Sequence, residues 1–411
     1  ASGAYTITSD QGITLNNSKW NVYLFDSDTN PASLTLTAKG ADGVVLDTAA
    51  YNSYIGTNRS LVVNATAGSI TNKKGFSFGG TSADNGGSVT FNAAQDINQE
   101  SALYPSGYGK LSFTAGNNVT LGTVSASNAN VSFDAGNNIT VGSDIEGTNN
   151  GRVSLVAGNT NAVNGSVIAK RNGQVSLDAE VQNHVTGNLG ANYLVTETHE
   201  PLPGTINLST RGMNAVDGNI ATYGGSQVTL DGNTNTVGSS VYSQGFGDAN
   251  AKIALNATSD NIVNAFLQAT DNGFIHLSAG ESNIVKNTGN AGNAIFAQRS
   301  GKVELVDAKT NSVTGNIYSD SSIVNLTATN DNVVTGNLSA LNNGQVNLAA
   351  EVQNHVMGHL MLHYLNNTTR EALPGVINLT TSGTNAIDGS IFTYGSSHAT
   401  LDGDVNTVGA I

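Results

Sequence analysis

The chain has 411 residues, with 16 basic against 30 acidic side chains for a formal net charge of −14, 48 glycines, 5 prolines and no cysteine. This balance opposes nucleic-acid binding, which depends on neutralising phosphate, and without cysteine there are no disulfides, iron–sulfur clusters or thiol nucleophiles. Charged residues are only 11% of the chain, but the 38% that are hydrophobic fall in strict alternation, which argues for a packed fold rather than disorder.

Residues 1–88 are the least regular. Alternating runs at Tyr5-Thr6-Ile7, Leu34-Thr35-Leu36, Leu61-Val62-Val63 and Phe76-Ser77-Phe78 are broken by polar turns. We read them as an N-terminal cap with irregular first coils, Trp20 packing in the cap. No signal peptide is visible, and Ala1-Ser2-Gly3 reads as a start left by processing or cloning. No run of 18 apolar residues offers a membrane-spanning helix, so this fragment is expected not to insert directly into a membrane.

From Val89 a short pattern takes over: V-x-L-x-A, four residues, N-x-V-x-G-x-I, then a polar stretch holding Gly or Asn. With its first apolar residue as a register mark, the marks fall at Val89, Leu111, Val131, Val153, Val175, Ile206, Val228, Ile253, Ile275, Val303, Val324, Val346, Ile377 and Ala399. Most spacings are 20 to 22 residues, the exceptions being 25, 28 and two of 31. Such a period is one coil of a solenoid. A larger duplication lies over it: residues 172–240 return as residues 343–411, displaced by 171.

The compact coils LSFTAGNNVTLG (111–122) and VSFDAGNNITVG (131–142) show period-two strands joined by turn residues. Beyond Val153 the eighth position after the mark is asparagine: Asn161, Asn183, Asn214, Asn261, Asn283, Asn311, Asn332, Asn354 and Asn385. Equivalent residues of successive coils stack at about 4.8 Å, so these amides are expected to form a structural ladder. Glycines after the second strand, among them Gly165, Gly187, Gly218, Gly315, Gly336, Gly358 and Gly389, are expected to let the chain turn its corner. The expected fold is all-β, a right-handed parallel β-helix of about 17 coils. Residues 1–88 form its cap and first coils, and 89–411 its regular coils, truncated at the C-terminus.

The two 31-residue spacings each carry about nine extra residues, in 191–204 (ANYLVTETHEPLPG) and 362–375 (LHYLNNTTREALPG). Loops on a rigid scaffold are where binding residues gather. Tyr193, Glu197, His199 and Glu200 in one, and Tyr364, Thr368, Arg370 and Glu371 in the other, are the candidate partner-binding residues. Seven coils of separation would put the loops about 34 Å apart on one face.

Metal and catalytic readings are weaker. His355, His359 and His363 are four residues apart, about 13 Å along a strand and too far to share one ion. Segments 26–30 (DSDTN), 231–235 (DGNTN) and 402–406 (DGDVN) alternate oxygen ligands but lack the closing glutamate of a calcium loop, so Asx turns account for them. Acids are spread thinly, without the paired carboxylates of a glycan-cleaving site. No metal, cofactor or catalysis is expected.

The AGNNVTLG and AGNNITVG coils, the asparagine ladder, the acidic Gly/Asn-rich composition without cysteine and the cap-then-coil order resemble the secreted passenger domain of a bacterial autotransporter adhesin. The resemblance implies display on the bacterial cell surface or secretion, and adhesion, aggregation or biofilm formation. The implied partner is another copy of the chain or a host surface protein or glycan. The chain departs from the family pattern in lacking a recognisable autochaperone segment and the strands of a C-terminal barrel. The alternative is a glycan-binding or polysaccharide-cleaving β-helix, for which Tyr193, Tyr223, Tyr242, Tyr318, Tyr364 and Tyr394 are the sugar-stacking candidates.

Overall fold

A computed structural model describes residues 3–17, 23–24, 32–48, 53–82, 85–192, 202–287, 292–362 and 373–410. Among them every regular element is a strand and none is a helix. One coil illustrates the rest: strands Arg152–Ala157, Thr160–Val163 and Val167–Lys170 are followed one coil later by Gln174–Ala179, Gln182–Val185 and Leu189–Asn192. Each pairs with its equivalent in parallel, as in Val153↔Val175 and Asn161↔Asn183, and Val167 is likewise paired with Ile145 of the coil before. The architecture is a parallel β-solenoid with three strands per coil. The third strand is the G-x-I end of the sequence pattern, where the apolar residue points inward.

The chain divides into two compact units, residues 1–190 with 204–211 and residues 191–203 with 212–411. In the first unit the register marks Val89, Leu111, Val131, Val153, Val175 and Ile206 are successive Cα partners. The row continues back through Leu61, Leu34 and Tyr5. Two residues on from the mark, Phe91, Phe113 and Phe133 are fully buried, their rings 4.6 Å apart and stacked, then 5.3 Å apart and edge-on. Trp20 lies outside the described residues. In the second unit the marks Val228, Ile253, Ile275, Val303, Val324, Val346, Ile377 and Ala399 align in the same way.

The corner before each first strand is sterically demanding. At Asn149-Asn150, Arg171-Asn172, Asp271-Asn272, Arg299-Ser300 and Asn342-Asn343 two consecutive residues take φ between 46° and 65°. Asn and Asp tolerate that left-handed region better than most residues. A glycine follows each pair because a Cβ on Gly151, Gly173, Gly273, Gly301 or Gly344 would lie 1.8–2.2 Å from a backbone oxygen of a neighbouring coil. The expectation that the glycines after the second strand serve mainly as bends needs correcting. Gly315 does take a φ of 125°, but Gly187, Gly336 and Gly358 provide room, a Cβ there falling 2.5–2.6 Å from the coil before.

Inside the second strands, asparagines run in two described series, buried throughout except for the last, Asn406, which is exposed. Asn161 Nδ2 donates to Asn183 Oδ1 at 2.9 Å and to the Asp178 carbonyl at 2.8 Å. In the second unit Asn214, Asn235, Asn261, Asn283, Asn311, Asn332, Asn354, Asn385 and Asn406 are linked Nδ2 to Oδ1 at 2.8–3.0 Å. From Asn214 to Asn385 each Nδ2 also donates to a main-chain carbonyl, such as those of Val306 and Thr327. Along this row each amide from Asn214 to Asn385 therefore donates to the amide of the next coil, and each from Asn235 to Asn406 accepts from the coil before. Asn161 Oδ1 is the exception: its partner in the preceding coil is Ile139, and it has no hydrogen bond.

Two stability predictions follow from this geometry. Asn311→Ala strands both the Asn283 donor and the Asn332 acceptor and is expected to cost about 3 kcal/mol, whereas Asn161→Ala, at the head of its series, costs about 1–2 kcal/mol. Native-state hydrogen exchange of the flanking coils measures both; equal costs would remove the polarity argument. Gly301→Ala is expected to destabilise by about 1–3 kcal/mol through the clash with the Ala269 carbonyl, read as a lowered denaturation midpoint.

Candidate interaction surfaces

Tyr193, Glu197, His199, Glu200, Tyr364, Thr368, Arg370 and Glu371 lie outside the described residues. Their anchoring strands are described: each insertion leaves a third strand, Leu189–Asn192 or Leu360–Leu362, and returns into a first strand, Thr205–Thr210 or Val376–Thr381. The nine ladder asparagines, from Asn161 to Asn385, are fully buried, not on an outward face. Asn235, also fully buried, and Asn406, exposed at the end of the row, continue the ladder but were missed by an eight-residue count, since the Asp-Gly turns before them are one residue shorter. The N-T-V-G that begins at each is the signal that could have found them.

The histidines do not converge. His355 Nε2 lies 3.1 Å from each carboxylate oxygen of Asp388, while His359 Nδ1 accepts the Ser390 N–H at 2.8 Å; His363 is outside the described residues. In segment 231–235 the oxygens are engaged internally: Asp231 Oδ1 accepts from Asn256 Nδ2 at 2.7 Å, and Asn233 Oδ1 from the Thr258 hydroxyl at 2.8 Å. Segment 26–30 lies outside the described residues. Among the described residues no three His, Asp or Glu side chains are grouped to hold a metal ion.

The outward faces carry further polar rows. Asn378, Asn347 and Asn325 are joined amide to amide at 2.9 and 2.8 Å, and Asn325 donates to Glu304. Burial pushes the Glu304 carboxyl up, but hydrogen bonds and charge from Lys302, with Asn325 and His276, outweigh it and hold it below the ordinary value. On the third strands Tyr223 and Tyr242 have ring centroids 5.4 Å apart, and burial raises the Tyr223 phenol. Tyr242 donates to Gln244 at 2.6 Å, and Gln244 donates to Asp271 at 2.9 Å. Arg299 Nη2 donates to the same carboxylate at 2.9 Å. The hydrogen bond from Arg299 lowers the Asp271 carboxyl, aided by Gln244 and opposed by burial.

Farther along the third strands, one outward row reads Phe296, Tyr318, Ser339, Met361, Phe392, each paired with the next. Phe296 and Tyr318 stack at 5.1 Å and 19°. Beyond them opens a cavity of about 600 Å³, bounded by Tyr318, Met361, Phe392 and Tyr394, with Ser339 buried in its floor. Phe392 is 45% and Tyr394 58% exposed. Of the six tyrosines singled out from the sequence, Tyr318 and Tyr394 line this cavity, Tyr223 and Tyr242 form the separate pair, and Tyr193 and Tyr364 are outside the described residues. Phe296, Met361 and Phe392 were missed; their signal is an outward position in a third strand that the two-strand reading did not resolve.

Comparisons with models of protein families, with curated proteins and with solved structures found no match.

The Asp271 carboxyl is depressed in the folded state, so its contribution to stability is present above the ordinary carboxylate range and is lost as pH falls through the folded value. Arg299→Ala is expected to return the Asp271 titration toward its ordinary value. The variant should then lose less stability than the parent on acidification below about pH 4. Carboxyl NMR titration and denaturation at several pH values test this.

Proposed function

We propose that the chain is the passenger region of an autotransporter adhesin displayed at the bacterial cell surface, built as a right-handed parallel β-helix of about 17 coils. The observation that carries this reading is the in-register stacking of amide and hydroxyl groups on the outward faces, exemplified by Asn325, Asn347 and Asn378. Such faces suit many weak contacts summed over a long surface, where affinity comes from multivalency on the cell. The partner is another copy of the chain on a neighbouring cell, or a host surface molecule, with aggregation or biofilm as the result. The two insertions at 191–204 and 362–375, with their shared Tyr and Leu-Pro-Gly flanks, are assigned to partner contact. The reading involves neither catalysis nor nucleic acid.

Sedimentation velocity over a range of protein and salt concentrations is the test. A monomer–dimer equilibrium is expected, shifting to dimer with ionic strength because screening weakens the repulsion between chains of charge −14. Deleting 193–201 and 363–372 together should abolish both dimerisation and aggregation of cells displaying the chain. A strict monomer, with no aggregation of such cells, overturns self-association, and aggregation unchanged by the deletion overturns the role of the insertions.

A further inference from the structure

The outward row that contains Ser339 is built like a stack with one plate removed. Its other members, Phe296, Tyr318, Met361 and Phe392, are large. Neighbouring strands are about 4.8 Å apart, so omitting one side chain leaves Tyr318 and Met361 facing each other across about 9.6 Å. Two van der Waals contacts of about 4 Å fill most of that width when one six-membered ring stands between them. The cavity of about 600 Å³ falls in the range of ligand pockets.

Its chemistry narrows the occupant. No carboxylate, ammonium or guanidinium lines it, although the chain carries a net charge of −14. Asn293 and Asn316 stand at its rim. Asn316 Oδ1 accepts the Asn337 N–H at 2.8 Å, and among the described residues neither Nδ2 has a partner. The cavity therefore offers apolar walls, two amide donors and no charge. A pyranose ring answers each feature: its C–H face meets an aromatic wall and its hydroxyls accept from amides. A flat protein surface would lie across the recess without entering it.

The duplication supplies an internal contrast. At the positions 171 residues earlier, Met361 and Phe392 are replaced by Gly190 and Ala221, and just ahead of the duplicated stretches Leu341 is matched by Lys170 and Ser339 by Ile168. The inward residues keep their apolar character, Leu189 against Leu360 and Ile220 against Ile391. Inward positions stay apolar even where they differ, as at Ala191 and Leu362, while the outward side changes in kind, and walls with a gap arise only around Tyr318 to Phe392.

We propose that the outward face of the third strands between Tyr318 and Phe392 is a binding groove for an uncharged polysaccharide, with one sugar ring inserted above Ser339 and neighbouring sugars resting on Phe392 and Tyr394. The groove rests on the geometry of the second unit and stands whether or not the chain is a surface adhesin. Native affinity electrophoresis of the whole chain in gels containing dextran, laminarin or galactomannan, with polygalacturonate as the acidic comparison, tests it. At least one neutral polymer is expected to retard the chain, and polygalacturonate is not. Phe392→Ala and Tyr394→Ala, both at exposed positions, should each weaken retardation by about tenfold. Ser339→Phe should abolish it by filling the gap, while Tyr223→Ala, outside the groove, leaves it unchanged. Retardation by none of the three neutral polymers, equal retardation by polygalacturonate, or retardation that survives Phe392→Ala and Tyr394→Ala overturns the proposal. Loss of dimerisation in those two variants without any sugar binding assigns the face to a second copy instead.

Discussion

A carboxamide sealed in an apolar interior costs several kcal/mol unless its hydrogen-bonding atoms are met, and here they are met chiefly by the same group one coil away. Each ladder asparagine in the second unit gives one N–H to the next amide and the other to a main-chain carbonyl. The two coils involved are thereby held in one register. A slip of one residue would bring an outward side chain inside and break both bonds at once. The ladder thus supplies what a thin core of Val, Leu and Ala cannot, since apolar packing is tolerant of small shifts and directional hydrogen bonding is not.

The ladder's direction has a structural consequence. Asn161 donates toward the next coil and is paired with Ile139 in the coil before, so its Oδ1 is left as an unmet acceptor. In the coils before it, valine and isoleucine take the equivalent place and the asparagines lie in the outer turns, as in Asn138 donating to Asn118 at 3.2 Å. The polar ladder moves from the outside of the turn to the inside of the strand where the turn changes. Corners, by contrast, are set by sterics: the left-handed pairs ahead of Gly273 and Gly301 are determined by the nearness of another coil's carbonyl.

With the interior committed to register, the outward positions are released from structural duty and can vary. The two copies of the duplicated stretch, 171 residues apart, show this freedom directly. Their inward Leu and Ile residues correspond, while outward positions change from Gly190 and Ala221 to Met361 and Phe392. Surface chemistry on such a scaffold is additive along the coils, because each outward residue has neighbours only one coil before and one after. Rows of amides, the Asp271–Arg299 network and the aromatic groove coexist on the same framework without altering it.

Much of the fold could be read from the amino acids alone. A period near 21, alternation within it and a recurrent Asn identify a stacked coil, because repetition in sequence becomes stacking in space whatever the residues between. Asn235 and Asn406 escaped because a fixed count fails where a turn loses one residue, although pairing still brings them into line. The third strand escaped because it is only three to six residues long, too short for its alternation to stand out. The candidate surface was the least legible part. Phe296, Tyr318, Ser339, Met361 and Phe392 are separated by 21 to 31 residues, and nothing local links them. The sequence by itself determined the period, the alternation and the recurring amide. Only the tertiary structure decided which outward side chains are neighbours and where a gap opens between them, since that depends on the pairing of coils through their backbones.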